Sequence, residues 1–216
     1  MQRLNESQRE YLREATTRYW NAIPGSPVEE YLANRGLGGE EIRNRFLLGY
    51  VEDPIPGHEY HRGSMVIPYL RKSPDNKLTV VSLRFRCIQD HEHVGHGKYM
   101  TQSGDRPRLF NTEALLKPGR SVAITEGELD AIAAEQAGIH AVGVPGVETW
   151  SPHFAEPFRG YKEVFILADG DEAGMRFATG LTKHLSNAKI IPMPPGHDVN
   201  SLTMAEGPDK LRERLG

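Results

Sequence analysis

Among its 216 residues the sequence holds a single cysteine, Cys87. That excludes an internal disulfide and any zinc ribbon built from cysteine pairs, and it fits a reducing, cytosolic compartment. Long hydrophobic runs are also missing. The strongest, Val164-Phe165-Ile166-Leu167-Ala168, has strand length, far below the ~20 residues that span a bilayer. The opening Met1-Gln2-Arg3-Leu4-Asn5 leads into charged sequence, so no signal peptide is expected. No internal repeat or low-complexity tract occurs. A Gly-x-x-x-x-Gly-Lys-Ser/Thr loop is absent too, which excludes a nucleotide-driven helicase motor. What remains is an ordinary globular composition, 38% hydrophobic and 25% charged, in a chain long enough for one sizeable core or two lobes.

The net charge of −3 conceals an asymmetry. Residues 1–120 carry 18 Lys/Arg against 15 Asp/Glu, whereas residues 121–216 carry 8 against 14. Within 62–108 there are nine basic residues against four acidic ones. A basic stretch thus precedes an acidic domain. A phosphate-binding half beside a cation-binding half is the pattern expected of a metal-dependent nucleotidyl transferase, and scattered solvated charges would give the same counts equally well.

Periodicity divides the chain at the same place. Residues 5–20 read as a helix with Tyr11, Leu12, Ala15, Tyr19 and Trp20 on its apolar side. Ile23-Pro24-Gly25-Ser26-Pro27 ends it, and short helices follow over 28–34 and 39–45. Residues 65–70 and 78–86 read as strands joined in a hairpin by the turn Ser73-Pro74-Asp75-Asn76. Arg84 and Arg86, two apart on the second strand, share a face. Residues 89–108 read as an exposed polar loop. After Pro118-Gly119 strands and helices alternate: strand 122–125, helix 128–136, strand 139–144, a short helix near 151, strand 164–168, helix 172–186, strand 189–193, and a last helix 203–215. That order predicts a parallel sheet whose ligands collect at the strands' C-terminal ends. The expected domains are therefore 1–118, an α+β basic lobe, and 119–216, an α/β domain.

Carboxylates fall where such a sheet would bind. Glu126 directly follows the first strand of the α/β domain, and Asp130 lies one turn into the next helix. Asp169-Gly170-Asp171 follows the third strand, and Asp198 and Asn200 follow the fourth. Parallel pairing would place these groups on one rim. Oxygen ligands of this kind suit Mg²⁺ or Mn²⁺, which keep several waters and bridge to phosphates. Taken singly, each acid also suits a helix N-terminus, where it caps.

The pieces Glu126-Gly127-x-x-Asp130 and Asp169-Gly170-Asp171-x-Ala173-Gly174 resemble the signature of TOPRIM domains, and the closest resemblance is to the catalytic core of DnaG-type bacterial and phage primases. Tyr31-Leu32-Ala33-Asn34-Arg35-Gly36-Leu37, Phe46-Leu47-Leu48-Gly49-Tyr50, Arg62-Gly63-Ser64-Met65-Val66-Ile67-Pro68, Lys98-Tyr99-Met100 and Pro195-Gly196-His197-Asp198-Val199-Asn200-Ser201-Leu202 carry it in order from about residue 27 to 205. It implies a Rossmann-like TOPRIM α/β fold after the N-terminal lobe. By the same resemblance Glu126 is the catalytic acid, acting with Asp169 and Asp171. The metal set it implies is Glu126, Asp130, Asp169, Asp171, Asp198 and Asn200, with Asp169, Asp171 and Asp198 as the principal ligands and Asp130 in support. The family usually carries a second aspartate where Asn200 stands. An amide oxygen can still ligate, but one negative charge is lost.

Arg62, Arg84, Arg86, Lys98, Arg106 and Arg108 are the expected phosphate contacts, which give affinity without reading sequence. The resemblance assigns Arg84 or Arg86, and Lys98, to phosphate or the incoming nucleotide, while Tyr99 can stack a base. His91, His93 and His96 offer imidazoles to a transition metal. No second ligand cluster accompanies them, so the stretch reads as a polar loop.

The implied activity is synthesis of RNA primers on single-stranded DNA by metal-dependent nucleotidyl transfer from nucleoside triphosphates. Two other readings stay open: a TOPRIM nuclease using the same metals, and a non-catalytic DNA-binding module of the replisome. Strand-passage domains and the cysteine zinc site of RecR are missing, which disfavours topoisomerase and RecR. Without the family's zinc module and helicase-binding domain, the expectation is a split or virus-encoded primase, working in a bacterial cell or phage-infected host. Its expected partners are a separate zinc-binding template-recognition module and the replicative helicase, with no membrane.

Overall fold

The computed structural model describes residues 4–73, 77–146 and 149–216. Two compact units emerge, Met1–Arg106 and Pro107–Gly216.

In the first unit, helix α1 (Glu6–Asn21) opens on a capping box. The Asn5 side chain accepts the Gln8 N–H at 2.9 Å, and the Gln8 side chain accepts the Asn5 N–H at 3.0 Å. Leu12, Ala15, Thr16 and Tyr19 recur at helical spacing, and this buried stripe packs on strand β3 (Leu78–Arg86). Helix α2 (Pro27–Ala33) starts at the Ser26 cap with Pro27 in its first turn, and α3 (Glu40–Phe46) ends at Leu47 in the left-handed region.

Four antiparallel strands form the sheet β1-β2-β3-β4, with β1 at Gly49–Tyr50, β2 at Met65–Lys72 and β4 at Tyr99–Thr101. Of the β2–β3 turn, Pro74, Asp75 and Asn76 lie outside the described residues. At its base the Ser73 N–H donates to the Lys77 carbonyl at 2.9 Å. The stretch expected to be a loop over 89–108 contains β4. Pairing of Arg84 with Thr101 and of Arg86 with Tyr99 adds this short strand to the edge of β3.

The second unit carries a four-stranded parallel sheet in the order β6-β5-β7-β8: β5 at Ser121–Thr125, β6 at Ala141–Gly143, β7 at Glu163–Ala168 and β8 at Ala188–Pro192. Helix α4 (Glu128–Gln136) links β5 to β6, and α5 (Glu172–Thr182) links β7 to β8. Ile124, Val142, Phe158, Ile166 and Phe177 belong to one buried cluster between sheet and covering segments. The two central strands are buried nearly end to end, as expected of a parallel sheet. A Rossmann-like parallel sheet and a preceding α+β unit are the architecture expected from the sequence.

Of the boundaries that differ from the expectation, two change the organisation of the chain. Residues 107–118 belong to the second unit, because the backbones of Phe110 and Gly143 bond reciprocally at 2.9 and 3.2 Å. Nearby, the Asn111 amide donates to Glu135 Oε1 at 3.0 Å and to the Ala141 carbonyl at 2.8 Å. The C-terminal segment forms two helices, α6 (Val199–Glu206) and α7 (Pro208–Glu213). Gly207 at φ +86° followed by Pro208 interrupts what the sequence reads as one helix. Among the described residues no helix is long and apolar enough to cross a membrane.

Candidate active site

The acids of the second unit sit where its sheet ends. β5, β7 and β8 are adjacent and parallel, so Glu126, the Asp169–Asp171 turn and Asp198 all follow the same end of neighbouring strands. β6 lies on the outer side of β5 and carries none of them. Behind Glu126, the buried Thr125 hydroxyl donates to the Gly127 carbonyl at 2.9 Å and fixes the turn. The Asp169 N–H donates to Glu126 Oε1 at 3.1 Å, joining the first and second acidic loops directly.

Helix α5 approaches this junction closely. A Cβ on Gly174 would stand 2.5 Å from the Asp169 carbonyl oxygen and 2.7 Å from Glu126 Oε1, so only glycine lets the helix start there. Capping accounts for part of the acidic chemistry. Asp171 Oδ1 accepts the Gly174 N–H at 2.7 Å, and Asp198 Oδ1 accepts the Ser201 N–H at 2.6 Å. Each cap uses one carboxylate oxygen. Asp130 Oδ1 accepts the Asn200 N–H at 3.1 Å, which ties α4 to α6. Asn200 itself is buried.

Electrostatics record the crowding. Burial pushes the Asp169 carboxyl up to about 7, reinforced by the charges of Glu126, Asp198 and Asp171. Glu126 is raised as well, again chiefly by burial, with Asp171 and Asp130 adding and the Asp169 N–H opposing. Asp169 Oδ1 is buried and has no hydrogen-bond partner. An unpartnered carboxylate oxygen among like charges is costly unless a cation or proton compensates. The donors are all oxygen, which fits a hard divalent cation of the Mg²⁺ or Mn²⁺ type.

The expected phosphate contacts are distributed differently. In the first unit Arg84 and Arg86 both stack on the Tyr99 ring, at 4.7 and 4.6 Å from its centroid. Arg86 is only 5% exposed; its Nε donates to the Tyr31 hydroxyl at 2.8 Å and its Nη1 to the Tyr99 hydroxyl. Its chemistry is thereby spent on holding Tyr99 and Tyr31. Tyr31 was a residue of the α2 motif with no assigned role, and no local sequence signal links it to a strand 55 residues on. Arg62, Lys98 and Arg106 are exposed, and the Arg62 guanidinium donates to the Glu52 carbonyl. Arg108 belongs to the second unit.

A family model described as Toprim-like matches residues 123–203. The Gene 57 protein of Mycobacterium phage D29 is 55% identical over 155 residues, which is 72% of this chain and 99% of that protein. A DNA primase of Pseudomonas putida is 35% identical over 102 residues, 44% of this chain but only 16% of that protein. The RNA polymerase domain of Mycobacterium tuberculosis primase DnaG superposes with a TM-score of 0.77 at 18% identity, over 98% of this chain and 83% of that domain. Strand-end carboxylates on a β6-β5-β7-β8 sheet, a primase-core fold and a phage relative matched over its whole length agree, and the chain belongs to the family of DnaG-type TOPRIM catalytic cores.

Proposed function

We propose that this chain synthesises RNA primers on single-stranded DNA by metal-dependent nucleotidyl transfer. The observation that carries the reading is the buried, unpartnered Asp169 Oδ1 within four mutually repelling carboxylates at adjacent strand ends. Asp169, Asp171, Asp198 and Glu126 would hold Mg²⁺ or Mn²⁺, while Asp130 and Asn200 brace the loop that presents Asp198. When bound, the ion supplies charge neutralisation and orientation for a triphosphate under attack by a 3′-hydroxyl. Glu126, whose carboxyl is raised, would take the hydroxyl proton. Base choice would come from pairing with the template. A primer assay with single-stranded templates, labelled ribonucleotides and Mg²⁺ or Mn²⁺ tests this directly. Degradation of labelled DNA without nucleotides, and no extension product, would replace the reading with a nuclease.

Metal affinity should depend on pH through Asp169. Its carboxyl is raised from an ordinary 3.8 to about 7, so between those values the folded protein keeps a proton that the unfolded chain has released. The metal-free fold is therefore favoured by this group below its ordinary value, and that contribution is lost as pH rises towards 7. A cation requires the ionised form, so the apparent Kd for Mn²⁺ should rise roughly tenfold per pH unit below 7 for each proton displaced. Calorimetric titration at about pH 6 and about pH 8 reads this slope, and Asp169→Ala should weaken binding at both. A Kd that is equal at the two pH values removes Asp169 from the site.

Template grip is proposed for the first unit. Because Arg86 is buried under Tyr31 and Tyr99, the informative variant is Arg84→Ala with Lys98→Ala. On single strands each lost phosphate contact lowers the slope of log K against log salt by roughly 0.7. The pair should flatten the slope by about twice that amount. An unchanged slope would move the template path to Arg62 and Arg106.

A further inference from the structure

We infer that the β3–β4 hairpin of the first unit carries a second metal site, specific for zinc or a similar soft transition ion, with Cys87, His91 and His96 as ligands. One donor atom from each of these three residues lies within 4.8 Å of the other two. Cys87 immediately follows β3, and the spacing Cys87-x3-His91-x4-His96 folds back on itself before β4. Sequence reading finds only the histidines here; the thiol joins them because the chain reverses.

Three features make this more than a polar loop. First, its base and tip are fixed: the Cys87 N–H donates to the Lys98 carbonyl at 2.9 Å, and the Tyr60 hydroxyl donates to the Gly95 carbonyl at 2.8 Å. Second, ligand atoms already face one another. Cys87 Sγ and His91 Nε2 are 3.3 Å apart. His96 Nδ1 lies 3.1 Å from the Gly97 carbonyl, and donation there leaves Nε2 with its lone pair, the arrangement that orients imidazole ligands. Third, a fourth donor stands beside them. The His93 ring centroid is 4.8 Å from that of His91 and 5.2 Å from that of His96, and His93 Nε2 is buried without a hydrogen-bond partner.

Zinc bonds of ~2.3 Å to sulfur and ~2.0 Å to nitrogen correspond to donor separations of about 3.3–3.7 Å in a tetrahedron. The cluster needs to close by only about an ångström, within reach of rotations of the exposed His91. Thiolate and imidazole select zinc, cobalt or copper over magnesium, so this centre is chemically distinct from the all-oxygen rim of the second unit. It would pin the loop that leads into Lys98 and Tyr99.

Cobalt substitution of the intact chain under reducing conditions separates the two sites. Co²⁺ held by the carboxylates gives no sulfur charge-transfer band, whereas Co²⁺ on Cys87 does. Wild type should bind one equivalent with that band and the strong visible absorption of tetrahedral cobalt, and zinc should displace it. Cys87→Ser should abolish the band, and His91→Ala with His96→Ala should weaken zinc at least about a hundredfold in chelator competition. Both variants keep their metal-free melting temperature if they are folded alike, and His96→Ala alone serves if the double variant is not. Absence of a charge-transfer band in wild type at saturating cobalt overturns the proposal. So does undiminished zinc affinity in a folded histidine variant.

Discussion

Glu126→Gln is expected to lower primer synthesis by at least about a hundredfold, the scale of a lost proton-transfer or charge-stabilising group, while leaving the fold intact. The amide oxygen of glutamine can still accept the Asp169 N–H that Glu126 Oε1 accepts at 3.1 Å, so the first and second acidic loops stay joined. What disappears is one charge among four that repel. Two accompanying results distinguish this from general damage. Asp169 should titrate below about 7 in the variant, because Glu126 is the largest charge raising it. The metal-free protein should also melt at a higher temperature at about pH 8, above the Asp169 value, because one of the repelling charges is gone. Near-normal primer yield in a folded Glu126→Gln protein would remove Glu126 from the chemistry and leave it a structural acceptor for the β7 turn.

The α/β half was the more legible in sequence, and the reason is local. β5 and β7 are short, continuously apolar runs, α5 has a capped start and one apolar face, and parallel alternation fixes which strand end ligands occupy. The positions of Glu126, Asp169, Asp171 and Asp198 follow from that rule alone. The strand order does not, and it decides the arrangement: β6 lies outside β5, leaving β5, β7 and β8 contiguous. Where the reading fell short, the deciding contacts were distant in sequence. Phe110 attaches to Gly143 across more than thirty residues, which draws 107–118 into the second unit. Period two places Arg84 and Arg86 on one face, but Tyr31 of α2 and Tyr99 of β4 decide that Arg86 is covered. β4 is three residues long beside a Gly- and His-rich stretch and has no signal without its partner β3. The capping interpretation of single acids was also correct for Asp171 and Asp198, since one oxygen of each serves a helix start. Capping and crowding coexist because a carboxylate has two oxygens.

Gly174→Ala should cost as much activity as Glu126→Gln, by geometry instead of charge. The added methyl would stand 2.5 Å from the Asp169 carbonyl oxygen, 2.8 Å from the Asp169 nitrogen and 2.7 Å from Glu126 Oε1. Two of those neighbours are backbone, so relief requires the first turn of α5 to lift from the end of β7. That motion breaks the Asp169–Glu126 hydrogen bond and loosens the Asp171 cap, whose acceptor serves the Gly174 N–H itself. A stability loss of about 1–3 kcal/mol is expected, as for overpacking a filled site. Metal affinity should fall at least about tenfold and primer synthesis about a hundredfold, because ligand geometry loosens as a unit. Gly180 supplies the control on the same helix. A Cβ there meets nothing within 4 Å, so Gly180→Ala should stabilise by about 0.4–1 kcal/mol through reduced freedom of the unfolded chain, with metal binding and synthesis unchanged. Melting curves, Mn²⁺ titration and primer yield on the two variants side by side separate helix propensity from close approach. If Gly174→Ala behaves like Gly180→Ala, the junction of α5 with Glu126 and Asp169 is not what holds the acids in register, and the Asp130–Asn200 tie between α4 and α6 becomes the element to break next.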